Sequence, residues 1–240
     1  MKRDFLYNDS VGYCQLLDHM GSDLSIVNSA RASFDVTHQE MTPRDEKLIG
    51  YLYANKHTSP FEHCVMTFEV NVPLFVARQH MRHRTWSYNE VSRRYTNINL
   101  EFYTPTEFRP QAETNRQASV HDGETINPTV KSVIGSQATW STKASEALLS
   151  HTRKSVKLYE TMLEAGVCRE QARMVLPQNM YCKYIATANL LNILKFISLR
   201  DKPDAQWEIR KLAQSMAAGV KELFPVAWDA FEKSQEDSAK

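Results

Sequence analysis

Between Arg78 and Arg94 the chain carries five arginines (Arg78, Arg82, Arg84, Arg93 and Arg94) against one carboxylate, Glu90. That is a local charge of +4 in a protein whose formal net charge is +1. Such a concentration repels itself unless something anionic sits among the guanidiniums. Any fold this chain adopts must therefore present the stretch to a partner rather than pack it away. The planar donor fork of arginine matches phosphate and carboxylate, which points to a phosphate-bearing ligand. A solvated basic turn would show the same charge, but not the interleaved Ser87, Asn89, Glu90 and Ser92. Short neutral donors with one acceptor are the mixture that reads a heterocycle.

At 240 residues the chain can bury one sizeable core, and nothing demands a second domain. A near-neutral balance argues against a general nucleic-acid binder, which shows an overall basic footprint. Met1-Lys2-Arg3-Asp4-Phe5 leads into no apolar run of signal-peptide length, and no stretch approaches a membrane span, so a cytoplasmic location away from membranes is expected. Cys14, Cys64, Cys168 and Cys182 are scattered, with no Cys-x-x-Cys pair. Buried free thiols are the expectation, rather than a disulfide framework, a zinc site or a nucleophile. No Gly-x-Gly-x-x-Gly occurs among seven glycines, which argues against a Rossmann site. His57 and His63, with Glu62, lie six apart across a Ser-Pro turn, and no metal is expected there.

In chain order, residues 12–34 read as a strand and then a helix ending near Phe34. Thr42-Pro43-Arg44-Asp45 is a helix start, with Thr42 as N-cap and Asp45 three residues on. Cys64, Met66, Phe68, Val70 and Val72 alternate with polar residues as a half-buried strand. Pro73 opens a helix on which Arg78 and Arg82 share a face. Residues 93–103 are expected to resume as a strand. Residues 111–137, polar and without period, predict a mobile surface loop. A helix is predicted from about 137 to 165, with Trp140, Ala147, Leu148, Tyr159, Met162 and Leu163 on its core face and Gly166 at its C-cap. A short helix over 169–175, a strand over 181–187, a helix capped by Asn189 and a helix over 204–223 complete an α+β single domain with a mainly antiparallel sheet and flanking helices.

The stretch Arg-His-Arg-x-x-Ser-x-Asn-Glu-x-Ser-x-Arg-Tyr at 82–95 resembles the signature of the flavin-dependent thymidylate synthases. Upstream, Ala30-Arg31-Ala32-Ser33-Phe34 and His57-Thr58-Ser59-Pro60-Phe61-Glu62-His63 are similar too. Downstream so are Arg169-Glu170-x-Ala172-Arg173-x-x-Leu176-Pro177, Asn189, Leu199-Arg200 and Ala205-Gln206-Trp207-Glu208. The resemblance covers roughly 12–105 and 160–230.

It implies FAD held by His57, Ser59, Glu62, Arg82, His83, Arg84, Thr85, Glu90 and Asn189, with Ser33 as a further contact. It implies dUMP held by Gln79, Arg82, Glu90, Ser92, Arg93, Arg94, Arg173 and Arg200, with Arg200 as the catalytic residue. It also implies 5,10-methylenetetrahydrofolate and NADPH as co-substrates, and a homotetramer with sites shared between subunits. Two positions depart from the family pattern. Leu191 stands where arginine is frequent and cannot contact flavin through a polar group, and Lys195 stands where histidine or asparagine is frequent and can still donate. A competing reading makes the stretch a nucleotide- or RNA-binding loop that stacks bases on Trp86, Tyr88 and Tyr95. Bound flavin separates the two.

Overall fold

The computed structural model describes residues 2–96, 100–112, 125–134 and 138–238. A short strand, β1 (Asp4–Phe5), pairs antiparallel with β2 (Tyr13–Met20). Gly21 then turns the chain at φ +91°, where a Cβ would stand 2.7 Å from Cys64 Sγ, so only glycine passes easily. Helix α1 (Asp23–Arg31) follows and closes in a 3-10 turn over Ala32–Phe34. Helix α2 (Pro43–Ala54) starts as its sequence dictates, Asp45 Oδ2 accepting from the backbone N–H and the hydroxyl of Thr42. That carboxylate is wholly buried and also binds Arg31 and His38, tying the end of α1 to the start of α2.

A second 3-10 turn, Ser59–His63, precedes β3 (Val65–Pro73). Met66, Phe68, Val70 and Val72 are at most 1% exposed, the half-buried period expected of them. β2 pairs antiparallel with β3, and a slip in register between Leu16 and Asp18 leaves Leu17 exposed. Helix α3 (Leu74–His80) is shorter than its pattern predicts. Arg82 therefore does not share a helical face with Arg78, and lies in the turns after His80 that lead to β4 (Ser87–Glu90). Nor is 93–103 a strand. Tyr95 and Thr96 donate their N–H groups to Ser92 O in a turn, and Phe102 makes an isolated bridge to Met180. Residues 97–99 lie outside the described residues.

The larger correction falls on 125–143. Strands β5 (Thr129–Ile134) and β6 (Ala138–Lys143) form an antiparallel hairpin, Thr129 opposite Lys143. A loop end and the first turns of a helix were expected there. Thr129, Val130, Trp140 and Thr142 favour a pleated strand, and that preference outweighs the polar, aperiodic pattern. Trp140, expected on a helix core face, is on β6 and 45% exposed. The remainder of the expected mobile loop, at 113–124 and 135–137, lies outside the described residues. Helix α4 (Ala144–Glu164) ends at Gly166 in the left-handed region, φ +87°. Then come α5 (Arg169–Ala172) with a 3-10 turn to Val175, β7 (Tyr181–Asn189), α6 (Leu190–Arg200), α7 (Trp207–Leu223) and an unforeseen α8 (Pro225–Ser238). Buried Asp23 caps α8, accepting from the N–H groups of Val226 and Ala227.

The chain divides into two compact units. The first spans residues up to Asn71, Gln79–Asn89 and residues from Lys183 onward, and holds most of a five-stranded sheet in the order β1-β2-β3-β7-β4. Helix α7 packs on that sheet through Ile209, Leu212, Ala213, Met216 and Val220, none of them exposed, and Gly219 lies close to Met66, Phe68 and Leu16. The second unit, Val72–Arg78 with Glu90–Cys182, contains the hairpin, α4 and α5. Its interior is pinned by the Asn179 amide, which donates to Tyr103 O and Thr152 Oγ1. Helices beside a sheet with antiparallel β1-β2-β3 pairing make the architecture α+β, as expected. Among the described residues no helix is long and apolar enough to cross a membrane.

Candidate functional site

In the first unit the Gln79–Asn89 part of the basic stretch is folded back on a knot of aromatic rings. Tyr88 Oη donates to the carbonyls of His80 at 2.8 Å and His83 at 3.2 Å. Trp86, 6% exposed, stacks on Tyr88 with their planes 11° apart and meets His80 edge-on. His80 is fully buried, with Nδ1 2.9 Å from the Tyr184 hydroxyl. Burial first, then the neighbouring His83 and the Arg200 charge, push it down to about 3. Because these rings take the interior, Arg82, Arg84 and Thr85 are left exposed. Among the described residues neither Arg82 nor Arg84 has a carboxylate partner.

Arg200, the last residue of α6, reaches this stretch. Its Nε donates to His83 Nε2 at 3.3 Å and its Nη2 to Gln79 O at 3.3 Å. An arginine donating to an imidazole nitrogen requires that nitrogen to be unprotonated, so His83 is neutral with its proton on Nδ1. Burial, and then Arg200, hold His83 below the usual histidine range. Burial, and then Arg82, likewise pull Arg200 down. The Gln79 side chain is engaged by Gln206, which in turn donates to Glu208 Oε2 at 2.9 Å. At the other end of α6, Asn189 Oδ1 caps the helix by accepting from Asn192 N–H at 3.0 Å, while its Nδ2 donates to Glu62 Oε2 at 3.3 Å. Leu191 is 5% exposed and belongs to the core, whereas Lys195 is exposed.

The second unit carries its own cleft of about 380 Å³, lined by Leu74, Glu90, Ser92, Arg93, Glu170, Arg173, Met174, Leu176 and Met180. Ser92 Oγ accepts from Arg94 N–H at 3.2 Å. Arg94 Nη2 is 3.1 Å from Glu170 Oε2. Cys182 lies against Glu90 and Arg93, and burial, then a hydrogen bond to Glu90, raise its thiol far above the usual range. No cysteine neighbours the basic stretch in sequence, yet this one does in space, held as a thiol. Cys14 and Cys64 are buried as expected; Cys168 is exposed at the N-cap of α5, against expectation.

The structure thus joins Glu62 to Asn189, and Gln79 and His83 to Arg200. Separately, it brings Glu90, Ser92, Arg93 and Arg173 into one cleft, with Arg94 at its Glu170. Ser33, His57, Ser59, Arg84, Thr85 and Lys195 are exposed, and their side chains make no hydrogen bond to another expected site residue among the described residues. Sequence reasoning missed His80 and Tyr184, whose roles are long-range, and quoted Gln206 only within a family motif. It also gave Glu170 no role, although its place three residues before Arg173 was a usable signal. The base-stacking alternative weakens here. Trp86 is buried and the Tyr88 hydroxyl is spent inside, leaving Tyr95 as the exposed ring of the three.

On this α+β frame the first unit exposes Arg82 and Arg84 without carboxylate partners among the described residues, and the second unit carries a cleft lined by arginine and carboxylate, each a donor set suited to phosphate-bearing groups. Residues 15–226 match the thymidylate synthase complementing protein family. The flavin-dependent thymidylate synthase of Thermus thermophilus is 42% identical over 92% of this chain and 76% of its own length. That of Thermosipho africanus is 38% identical over 92% and 91%. The solved structure of the UMP/dUMP methylase PolB from Streptomyces cacaoi, bound with 5-Br dUMP, superposes with a TM-score of 0.75. It is 31% identical, covering 92% of this chain and 94% of that one. This chain belongs to the flavin-dependent thymidylate synthase family.

Proposed function

We propose that the protein converts dUMP to dTMP, taking the carbon from 5,10-methylenetetrahydrofolate and the reducing equivalents from NADPH through FAD, and releasing tetrahydrofolate. Exposed Arg82 and Arg84, without carboxylate partners among the described residues, carry this reading. They are unspent cationic donors where the signature predicts a diphosphate. The donor set fits FAD: Arg82, Arg84 and Lys195 offer positive charge, His57, Ser59 and Thr85 offer ring or hydroxyl groups, and Asn189 and Glu62 are already joined to each other. Ser33, His83 and Glu90 complete the set by resemblance. Leu191, buried in α6, takes no part. When bound, FAD supplies the hydride chemistry of the reaction.

The chain's own residues supply binding and charge. Gln79, Arg82, Glu90, Ser92, Arg93, Arg94 and Arg173 are read as the dUMP-binding residues. Arg200 is read as the catalytic residue. Uracil must become electron-rich at C5 before it takes the one-carbon unit, and Cys182, held as a thiol, is unsuited to add at C6. Activation then falls to charge stabilisation by a guanidinium against the N3–O4 edge, where negative charge develops. We read the chain as one family domain that acts as a homotetramer with shared sites. The decisive assay is dTMP formation from dUMP, methylenetetrahydrofolate and NADPH, with and without added FAD. The purified protein should be yellow or oxidise NADPH once FAD is supplied. A colourless protein that forms no dTMP under either condition refutes the reading.

A further inference from the structure

Glu170 stands in α5 and lines the cleft of the second unit together with Ser92, Arg93 and Arg173. Its carboxylate takes Arg94 Nη2 at 3.1 Å, and its backbone carbonyl accepts from Arg173 Nε at 3.3 Å. One residue therefore engages two of the arginines read as dUMP ligands. Three guanidiniums in so small a space repel one another, and Glu170 offsets part of that charge. The pair with Arg94 is water-exposed, 51% on the arginine side and 63% on the carboxylate side, so it is weak and easily exchanged. The backbone of Arg94 is held separately, through its N–H to Ser92 Oγ, so the guanidinium can change partners without the chain moving. A phosphate dianion offers Arg94 more charge and a bidentate face than a single carboxylate oxygen does.

We propose that Glu170 is a placeholder for the substrate phosphate, a specificity-determining residue that occupies Arg94 until a phosphate dianion displaces it. The proposal rests on reading this cleft as the nucleotide-phosphate site. Glu170 costs every anion some affinity, and the cost is overcome by ligands that bring both a dianionic phosphate and a base.

The test is calorimetric titration of the full chain with dUMP, deoxyuridine and inorganic phosphate. The proteins are wild type, Glu170→Gln, Arg94→Ala and the double variant. Glu170→Gln should tighten dUMP and inorganic phosphate by about two- to fivefold, the range an exposed ion pair can supply, and leave deoxyuridine unchanged. In the Arg94→Ala background that gain should vanish. Tightening that persists without Arg94 would be a general charge effect and would overturn the proposal, as would a Glu170→Gln variant that binds dUMP more weakly. Wild type binding dUMP with no response to Glu170→Gln removes the placeholder alone. Wild type that does not bind dUMP removes the nucleotide reading of the cleft and the placeholder with it.

Discussion

Arg200 is half-buried and spends two donors, on His83 Nε2 and Gln79 O. Those bonds aim the guanidinium, and the neutral His83 leaves its charge uncancelled. Arg200→Ala should lower turnover at saturating dUMP by about 10²–10³. Arg200→Lys keeps the charge without the planar fork and should fall between. Flavin reduction by NADPH serves as the folding control, and normal turnover in Arg200→Ala would strike this residue from the mechanism. Ser92 is a different case. Its Oγ receives the Arg94 N–H, so it shapes a turn, and among the described residues its hydroxyl makes no hydrogen bond to a base that would activate it as a nucleophile. Ser92→Ala should weaken dUMP binding while turnover survives; a dead variant with intact dUMP affinity would contradict that. His80 governs acid behaviour. Its folded pKa, about 3, lies below the ordinary 6.5, so the unfolded chain binds the extra proton first. The stability it confers is complete above about pH 6.5 and drains away as the pH falls toward 3. Thermal denaturation followed from pH 7 to 4 should show that decline, and His80→Gln should flatten it.

At the scale of elements, the caps and periods were legible because their causes are local. Thr42, Pro43 and Asp45 start α2 by hydrogen bonds spanning three residues, and Asn189 caps α6 in the same way. The added role of Asp45 as the buried partner of Arg31 and His38 was not legible, since those residues lie on other segments. Burial alone would raise its pKa, but the bonds from Thr42, Arg31 and His38 win and hold it well below the carboxylate range. Asp45→Asn should cost about 3 kcal/mol in urea unfolding near neutral pH, because it strands the Arg31 charge. Two glycines give opposite expectations. Gly21→Ala combines a positive φ with a 2.7 Å contact to Cys64 and should destabilise by at least about 1 kcal/mol. Gly50→Ala, in the interior of α2 with nothing within 4 Å, should stabilise by about 0.5–1 kcal/mol. Equal effects from both would discredit the backbone argument. The hairpin at 129–143 was misread because pairing between β5 and β6, not a period within either, stabilises it.

For the whole molecule, apolar side chains remain at the surface of both units: Leu17, Met20, Tyr51 and Leu199 in the first, Leu158 and Met174 in the second. The proposed homotetramer would cover part of this surface. Light scattering under native conditions should give a mass near four times that of the 27.7 kDa chain. An active, stable monomer would refute the tetramer.

From sequence alone came the α+β class and the positions of α1, α2, β3, α6 and α7, and, through the resemblance of the basic signature, the family. The elements rest on neighbours within a few residues, where hydrogen-bond geometry and side-chain period act directly. Tertiary structure alone decided that Arg200 meets His83 across 117 positions, that Glu170 takes Arg94, and that Tyr184 and Tyr88 hold His80. No local preference selects such partners. They are chosen when burial of the aromatic knot and the packing of α5 bring distant segments within reach, and a charge then takes whichever neighbour can satisfy it.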